Sequence, residues 1–319
     1  MAGFSTLTNQ HLIRSNLWSA QTKETLLDEL IGTKYIDFIT DFPDGDTINI
    51  PSIGQAEVLD YVESNPVLYT AMDTGNFTFT INKYKSSATY ITEKMKQDSF
   101  YMSRLVSSFV PKQARALAKA MEVDVLATGP SGQTASDPNL INAAGHRLIG
   151  TGTNETIAVK DFQLARYALQ KANVPMTNLV AIVDPSVEYT LGTLTNLINL
   201  SFNPRWEGIV STSISTGTKF LVNVLGWDVY VSQNLPDLNE TITNYGTART
   251  TAAGKGNLFF SAAPDILPFV GLIRQPPKVD SEYNKDFQRE EYVTTCRYGF
   301  KLFHPENLVT IITDTDQVS

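Results

Sequence analysis

The sequence predicts an α+β fold in which strands from distant parts of the chain share a sheet. Three observations carry that reading. Short runs alternating apolar with polar residues recur along the chain, and a long helical stripe passes a proline without losing phase. A long acidic segment, Ser52 to Asn76, is inserted between two of the strand-like runs.

Asp46 to Ile50 alternates with period two and is expected to stop at Pro51. Phe77 to Ile81 alternates again after the turn signal Thr74-Gly75-Asn76. The segment between them carries Glu57, Asp60, Glu63 and Asp73, no Lys or Arg, and the apolar side chains Val58, Leu59, Tyr61, Val62, Val67, Leu68 and Tyr69. A loop of this length in a compact domain is normally functional or disordered, and its apolar content argues against disorder. Either it projects as an arm or it folds back as an irregular lid on its own domain.

Met102, Leu105, Val106, Phe109, Gln113, Leu117, Met121 and Val125 keep helical spacing from about Gln97 to Leu126. Pro111 lies inside the run and removes a backbone hydrogen bond at a cost of about 3 kcal/mol. A broken helix has no reason to preserve phase, so one long helix bent near Pro111 is expected. Its polar side carries Arg104, Lys112, Arg115 and Lys119.

Gly129 to Gly152 reads as a loop. Thr156 or Asn154 is the expected cap of a helix bearing Phe162, Ala165, Leu169 and Ala172, closed by Pro175. Leu179 to Val183 is a continuous apolar run, expected as a central strand, and Asp184-Pro185 starts a helix with Val187, Leu191 and Leu194. Phe220 to Val224 and Trp227 to Val231 flank Leu225-Gly226 as a hairpin or bulged pair. Asn239 to Asn257 is poor in apolar residues and is expected to be a mobile loop. Asn257 to Phe260, Val279 to Phe303 and Leu308 to Ile312 return to strand patterns.

The 319 residues, 42% hydrophobic, suffice for one large core or two modest ones. No run reaches the roughly 18 apolar residues of a membrane span. The start Met-Ala-Gly-Phe-Ser-Thr-Leu lacks the basic and apolar regions of a signal peptide, so a protein made and kept in the cytoplasm is expected. Cys296, the single cysteine, reads as a small core residue. A net charge of −8 speaks against a nucleic-acid-coating surface.

Catalytic signals fail on spacing. His11, His146 and His304 have no metal-ligand partners nearby in sequence and read as structural histidines. Gly254-Lys255-Gly256 misses the phosphate-loop pattern, with Arg249 at the first glycine position and Gly256 in place of Ser or Thr. Ser131 lacks the spacing of a nucleophile elbow. Three Asn-x-Thr sites, at Asn76, Asn154 and Asn239, read as chance matches without a signal peptide. The expectation is a protein without enzymatic activity, cofactor or metal.

The order of parts carries a resemblance. A short N-terminal arm, a strand at Thr47 to Pro51, a long acidic loop, a returning strand pair and a long helix ending in Met121-Glu122-Val123-Asp124-Val125-Leu126 come first. Leu179 to Pro185 with its helix, the turn Leu225 to Pro236 and the ending Tyr298 to Val309 follow. This order resembles the major capsid protein of tailed bacteriophages, with the Hong Kong phage-type fold, over nearly the whole chain. The resemblance implies an N-terminal arm (1–34), an extended loop (52–76) and an axial domain (176–267). It further implies a peripheral domain (35–51, 77–175 and 268–319) with its spine helix at about 97–127.

By the same resemblance the chain forms hexamers and pentamers of an icosahedral head around double-stranded DNA, bound without sequence specificity. Portal and cement or decoration proteins are implied partners. Some relatives weld their shells through a loop lysine, and this loop has none, so non-covalent contacts are implied. Trp18 to Leu30 begins a helix-like segment almost at once, which implies a separate scaffolding protein rather than a fused one. The acidic loop, through Glu57, Asp60 and Glu63, is expected against basic residues of an adjacent subunit, with Arg104, Lys112, Arg115 and Lys119 or Lys83, Lys85, Lys94 and Lys96 as candidates. Exposed ion pairs contribute only about 0–1 kcal/mol each and set register; Tyr61, Leu68 and Tyr69 supply the desolvated contacts. An encapsulin-type nanocompartment shell and a hydrolase lidded by Ser52 to Asn76 are the two other readings.

Overall fold

The computed structural model describes residues 30–39, 45, 47–53, 63, 74–98, 102–193 and 220–315, and at 51–53, 74, 98, 102–111 and 220–223 the backbone alone. Among these residues two sheets share one long helix. The first has the order β1 (Ile36–Phe38), β14 (Phe269–Asn284), β15 (Arg289–Leu302), β4 (Lys83–Thr92). The second has the order β7 (Arg147–Ile149), β16 (Val309–Asp314), β13 (Gly254–Ser261), β8 (Leu179–Val183), β10 (Trp227–Val231), β9 (Phe220–Val224).

Strand β8 is central, as its unbroken apolar run predicts, and all five residues are buried. Side chains alternate across a strand. Ala181 and Val183 therefore face Phe162 and Leu169 of helix α3 (Val159–Lys171) and Val187 and Leu191 of α4 (Pro185–Thr193). Val180 and Ile182 face the opposite side, where Val125 and Leu126 of helix α2 (Met102–Ser131) join Leu258, Phe260 and Leu308. Trp227 closes the first layer and donates its indole N–H to Phe162 O at 3.2 Å. The β9–β10 turn is the expected Leu225-Gly226, both with positive φ, and a bulge follows between Val229 and Tyr230.

Helix α2 continues through Pro111 as one element, following α1 (Glu93–Asp98). Its middle part packs beneath the four-stranded sheet through Leu117 and Met121, which meet Cys296 and Tyr298. The cysteine is buried, as expected.

Several expectations are corrected. Pro51 does not stop its strand: β2 (Thr47–Ile53) pairs with β3 (Thr74–Thr80) through Pro51↔Asn76 to Ile53↔Thr74, so Thr74-Gly75-Asn76 is strand rather than turn. A two-stranded ribbon leaves every other N–H outside the ladder, where proline costs nothing. Helix α2 ends at Ser131, beyond 127, because Gly129 lets it press against Leu308, Phe269 and Leu258, where a Cβ would come within 3.0 Å of Leu308. The 129–152 loop contains β5 (Leu140–Ile141), β6 (Ala144–Gly145) and β7.

Neither Thr156 nor Asn154 caps α3; Ala158 stands at that position, and the Asp161 carboxylate accepts its N–H at 2.8 Å. The 239–257 segment is not a loop but the hairpin of β11 (Thr241–Asn244) and β12 (Thr247–Thr250) leading into β13. Its few apolar residues suffice because Arg249 donates to the carbonyls of Gly150, Thr151 and Gly152. Strands β7 and β16 lie on one side of β13 in the six-stranded sheet, and α3 packs on it through Phe162 and Leu169. Leu194 and the Trp18 to Leu30 segment up to Glu29 lie outside the described residues.

Gly254 opens β13 where a Cβ would meet Leu238 O and stand 2.7 Å from Ile312 Cγ2 and Thr251 Oγ1. Gly254→Ala is expected to destabilise the protein by about 1–3 kcal/mol through overpacking. Urea unfolding measures this, and an unchanged midpoint would contradict the tight approach of Leu238.

Candidate assembly surface

Residues 31–33 meet the long helix at a buried carboxylate. Glu122 is fully buried on α2, and its Oε1 accepts the N–H groups of Ile31 (2.8 Å) and Gly32 (2.7 Å) while Oε2 accepts that of Thr33 (3.0 Å). Gly32 is required for this approach, since a Cβ would lie 2.9 Å from Leu126 Cδ2. Two residues on, Asp124 points to the sheet. It accepts the Tyr298 hydroxyl at 2.6 Å and pairs with Lys83 at 3.6 Å and Lys85 at 3.4 Å. Burial and the Asp124 carboxylate hold the Tyr298 hydroxyl protonated far above the ordinary phenol range.

The β2–β3 ribbon is fixed at its root. Phe79 and Ile81 are buried with Val270 and Leu272, and Phe77 packs edge-on against Phe303 at 4.8 Å. The Lys301 ammonium donates to Thr78 O at 2.6 Å and stands 4.5 Å from the Phe77 ring centre. From this root the ribbon runs out through exposed Asn76 and Gly75 toward the acidic segment.

Of the site residues expected from sequence, Glu57, Asp60, Tyr61, Leu68 and Tyr69 lie outside the described residues, and Glu63 is an exposed turn residue. Lys83 and Lys85 come together on Asp124 of their own chain, and Lys96 pairs with Glu290 and, at 3.8 Å, with Glu93. Lys112 and Lys119 are exposed on α2, Arg115 is half-buried, and the Arg104 side chain is outside the described set.

Sequence reasoning missed Glu122 and the buried ion pair Arg147–Glu240, 2.6 Å apart with side chains 2% and 10% exposed. A signal for the first existed: Glu122 occupies the helical face of Leu126 and Gly129, so an acid interrupts a buried stripe. No signal existed for the second, whose partners are joined only by folding. His146 is buried with Nδ1 3.1 Å from Ala144 O, and burial pushes its pKa down; His304 pairs with Glu306 at 2.9 Å. His304 is hydrogen-bonded as expected of a satisfied structural histidine, whereas the buried His146 Nε2 has no hydrogen-bond partner among the described residues.

Residues 31–33 are held by Glu122 and the β2–β3 ribbon is rooted on Val270 and Leu272, both against a body of two sheets on one helix. A family model described as phage capsid protein matches residues 76–311, more than half of the chain. The chain belongs to this phage capsid protein family: it is a major capsid protein, a component of the virion.

Solved structures share the fold. A chain of Mycobacterium phage Che8 is 16% identical, with a TM-score of 0.67 over 94% of this chain and 97% of that one. A chain from the capsid of cyanophage P-SCSP1u is also 16% identical, with a TM-score of 0.69 over 95% and 93%. One from the capsid of cyanophage Pam1 is 14% identical, with a TM-score of 0.69 over 99% and 100%. No curated protein matches the sequence. The nanocompartment reading is not favoured by these matches.

Proposed function

We propose that the protein assembles, as hexamers and pentamers, into the icosahedral head that encloses the double-stranded DNA of a tailed phage. The contacts are non-covalent and run through the extended loop and the N-terminal arm. A separate scaffolding protein, a portal and a cement or decoration protein complete the assembly, which takes place in the host cytoplasm. The protein has no catalytic role. In this reading residues 1–34 form the arm, 54–73 the loop beyond the ribbon, and the six-stranded sheet with α3 and α4 the axial part. Pro111 is where the spine helix bends, and its curvature differs between immature and mature shells.

The observation that carries the proposal is the rooted ribbon leading into a segment with four acids and no Lys or Arg. Anionic side chains on a projecting element set register against a basic neighbour, and the aromatic and aliphatic side chains among them supply desolvation. Lys112 and Arg115 are the spine-helix candidates for that neighbour, along with Lys83 and Lys85, which share the single carboxylate of Asp124.

Charge reversal by Glu57→Lys with Asp60→Lys is expected to lower shell yield, and reciprocal Lys112→Glu with Arg115→Glu to restore part of it. Electron microscopy and light scattering of the expressed protein read both. Normal shells from the doubly reversed loop would refute the pairing, and a monomer from the unchanged protein with its scaffold under every condition would refute the shell proposal.

A further inference from the structure

Buried polar atoms are normally hydrogen-bonded, so one without a partner marks a place where a ligand can add. His146 is fully buried, yet among the described residues no atom meets its Nε2 with hydrogen-bond geometry. Its Nδ1 lies 3.1 Å from Ala144 O, and a carbonyl can only accept, so the ring proton is assigned to Nδ1. Burial lowers the pKa of the ring and outweighs the Ala144 and Glu306 backbone and the Glu306 carboxylate, which favour its charged form. The imidazole is therefore neutral at pH 7, and Nε2 offers a lone pair.

His146 lines a cavity of about 290 Å³ beyond the end of α2, together with Gln133, Asp137, Asn139, Leu140, Ile141 and Pro305. The polar groups of this cavity are unbalanced. The Gln133 amide donates to the carbonyls of His146 and Leu308 at 3.1 and 3.3 Å, and the Asn139 amide to those of Thr134 and Asp137, each at 2.8 Å. These donors are spent within the chain. The acceptors are not: beside the Nε2 lone pair, the exposed Asp137 carboxylate stands at the rim, with one oxygen receiving the Asn139 N–H at 2.6 Å. Leu140, Ile141 and Pro305 add apolar wall.

Such a lining is complementary to a cation that has N–H donors and a short apolar stem. A metal ion fits less well, because no three His, Cys, Asp or Glu side chains among the described residues converge as ligands. The volume lies just under the range of drug-sized ligand sites, which suits a group no larger than one side chain. We propose that this cavity binds a primary alkylammonium group, which donates to His146 Nε2 and places its charge toward Asp137. The group comes either from a small free amine or from a lysine of a partner chain.

Magic-angle-spinning NMR of the full chain labelled with ¹⁵N-histidine reads the site in free subunits and in shells. The chain has three histidines, so His11→Gln and His304→Gln identify the His146 resonances by elimination. In free subunits n-butylammonium is expected to move the Nε2 resonance upfield and to saturate, with a dissociation constant on the order of 1–10 mM. Tetramethylammonium, of equal charge but without N–H, is expected to leave it in place. Asp137→Asn keeps the oxygen that receives the Asn139 N–H and removes the charge, and is expected to weaken binding by at least about fivefold. Shells that show the shifted resonance without added amine identify a partner's lysine as the source; shells that need the amine identify a free one. Three results overturn the proposal: an Nε2 resonance unmoved in both states, an equal response to tetramethylammonium, or a free subunit already at the hydrogen-bonded position because a water holds the acceptor.

Discussion

Glu122→Ala is expected to detach the N-terminal arm and to lower unfolding free energy by about 3–4 kcal/mol, near the upper end for single substitutions. The carboxylate accepts three consecutive backbone N–H groups, from Ile31, Gly32 and Thr33, at 2.7–3.0 Å in a fully buried position. Removing it leaves the two buried donors of Ile31 and Gly32 without an acceptor and opens space beside Leu126. Glu122→Gln retains the volume but offers one acceptor oxygen and an amide that faces donors, so it is expected to recover only part of the loss. Chemical unfolding gives the magnitude. Hydrogen exchange at residues 31–33 gives the mechanism, because only loss of the anchor accelerates those amides before the rest of the chain. If both variants unfold like the parent and residues 31–33 stay protected, the arm is held by Ile31 and Ile36 packing alone.

Arg147→Met is expected to cost about 3–5 kcal/mol, the usual loss when one partner of a buried ion pair is removed. Arg147 joins three segments: its Nε and Nη2 donate to the Glu240 carboxylate at 3.0 and 2.6 Å, and its Nη1 donates to Pro130 O at 2.8 Å. The end of the long helix, the β7 edge and the β11–β12 hairpin are thereby held together. The double change Arg147→Met with Glu240→Leu is expected to regain most of the loss, since no charge is left buried.

The pair also predicts a pH dependence. Burial pushes the Glu240 carboxyl up, but the Arg147 hydrogen bond, the Ser136 N–H and the Arg147 charge together bring it below the usual carboxylate range. A depressed folded pKa contributes stability that is fully present above the unfolded pKa and is lost as pH falls through the folded one. The parent protein should therefore lose this contribution below the ordinary carboxylate range, and the double variant should show a shallower acid limb. Equal slopes in parent and double variant would remove Glu240 from the acid response.

Patterns with a fixed period are legible in the chain itself. The five-residue run Leu179–Val183 has the pattern of a strand buried on both faces, and the stripe from Met102 to Val125 keeps phase through Pro111 because one continuous helix carries it. The Leu225-Gly226 hairpin is legible in its turn residues. The 239–257 segment is not, because its hairpin is held by Arg249 on the carbonyls of 150–152 and by Glu240 on Arg147, contacts about a hundred residues apart. Local apolar content says nothing about such partners.

The candidate assembly surface divides in the same way. Its acidic loop and basic residues can be named from sequence because charge is a local property. Which lysines are already neutralised cannot, since Lys83 and Lys85 reach Asp124 only once β4 lies along the spine helix. By itself the sequence determined the α+β class, the long helix, the central strand and the acidic composition of the segment between β2 and β3, since periodicity and composition act over a few residues. The tertiary structure alone decided that strands 147–149 and 309–314 share one sheet, that Glu122 holds residues 31–33, and that Arg147 reaches Glu240. Each depends on where distant segments meet, and that is set by the packing of the whole core.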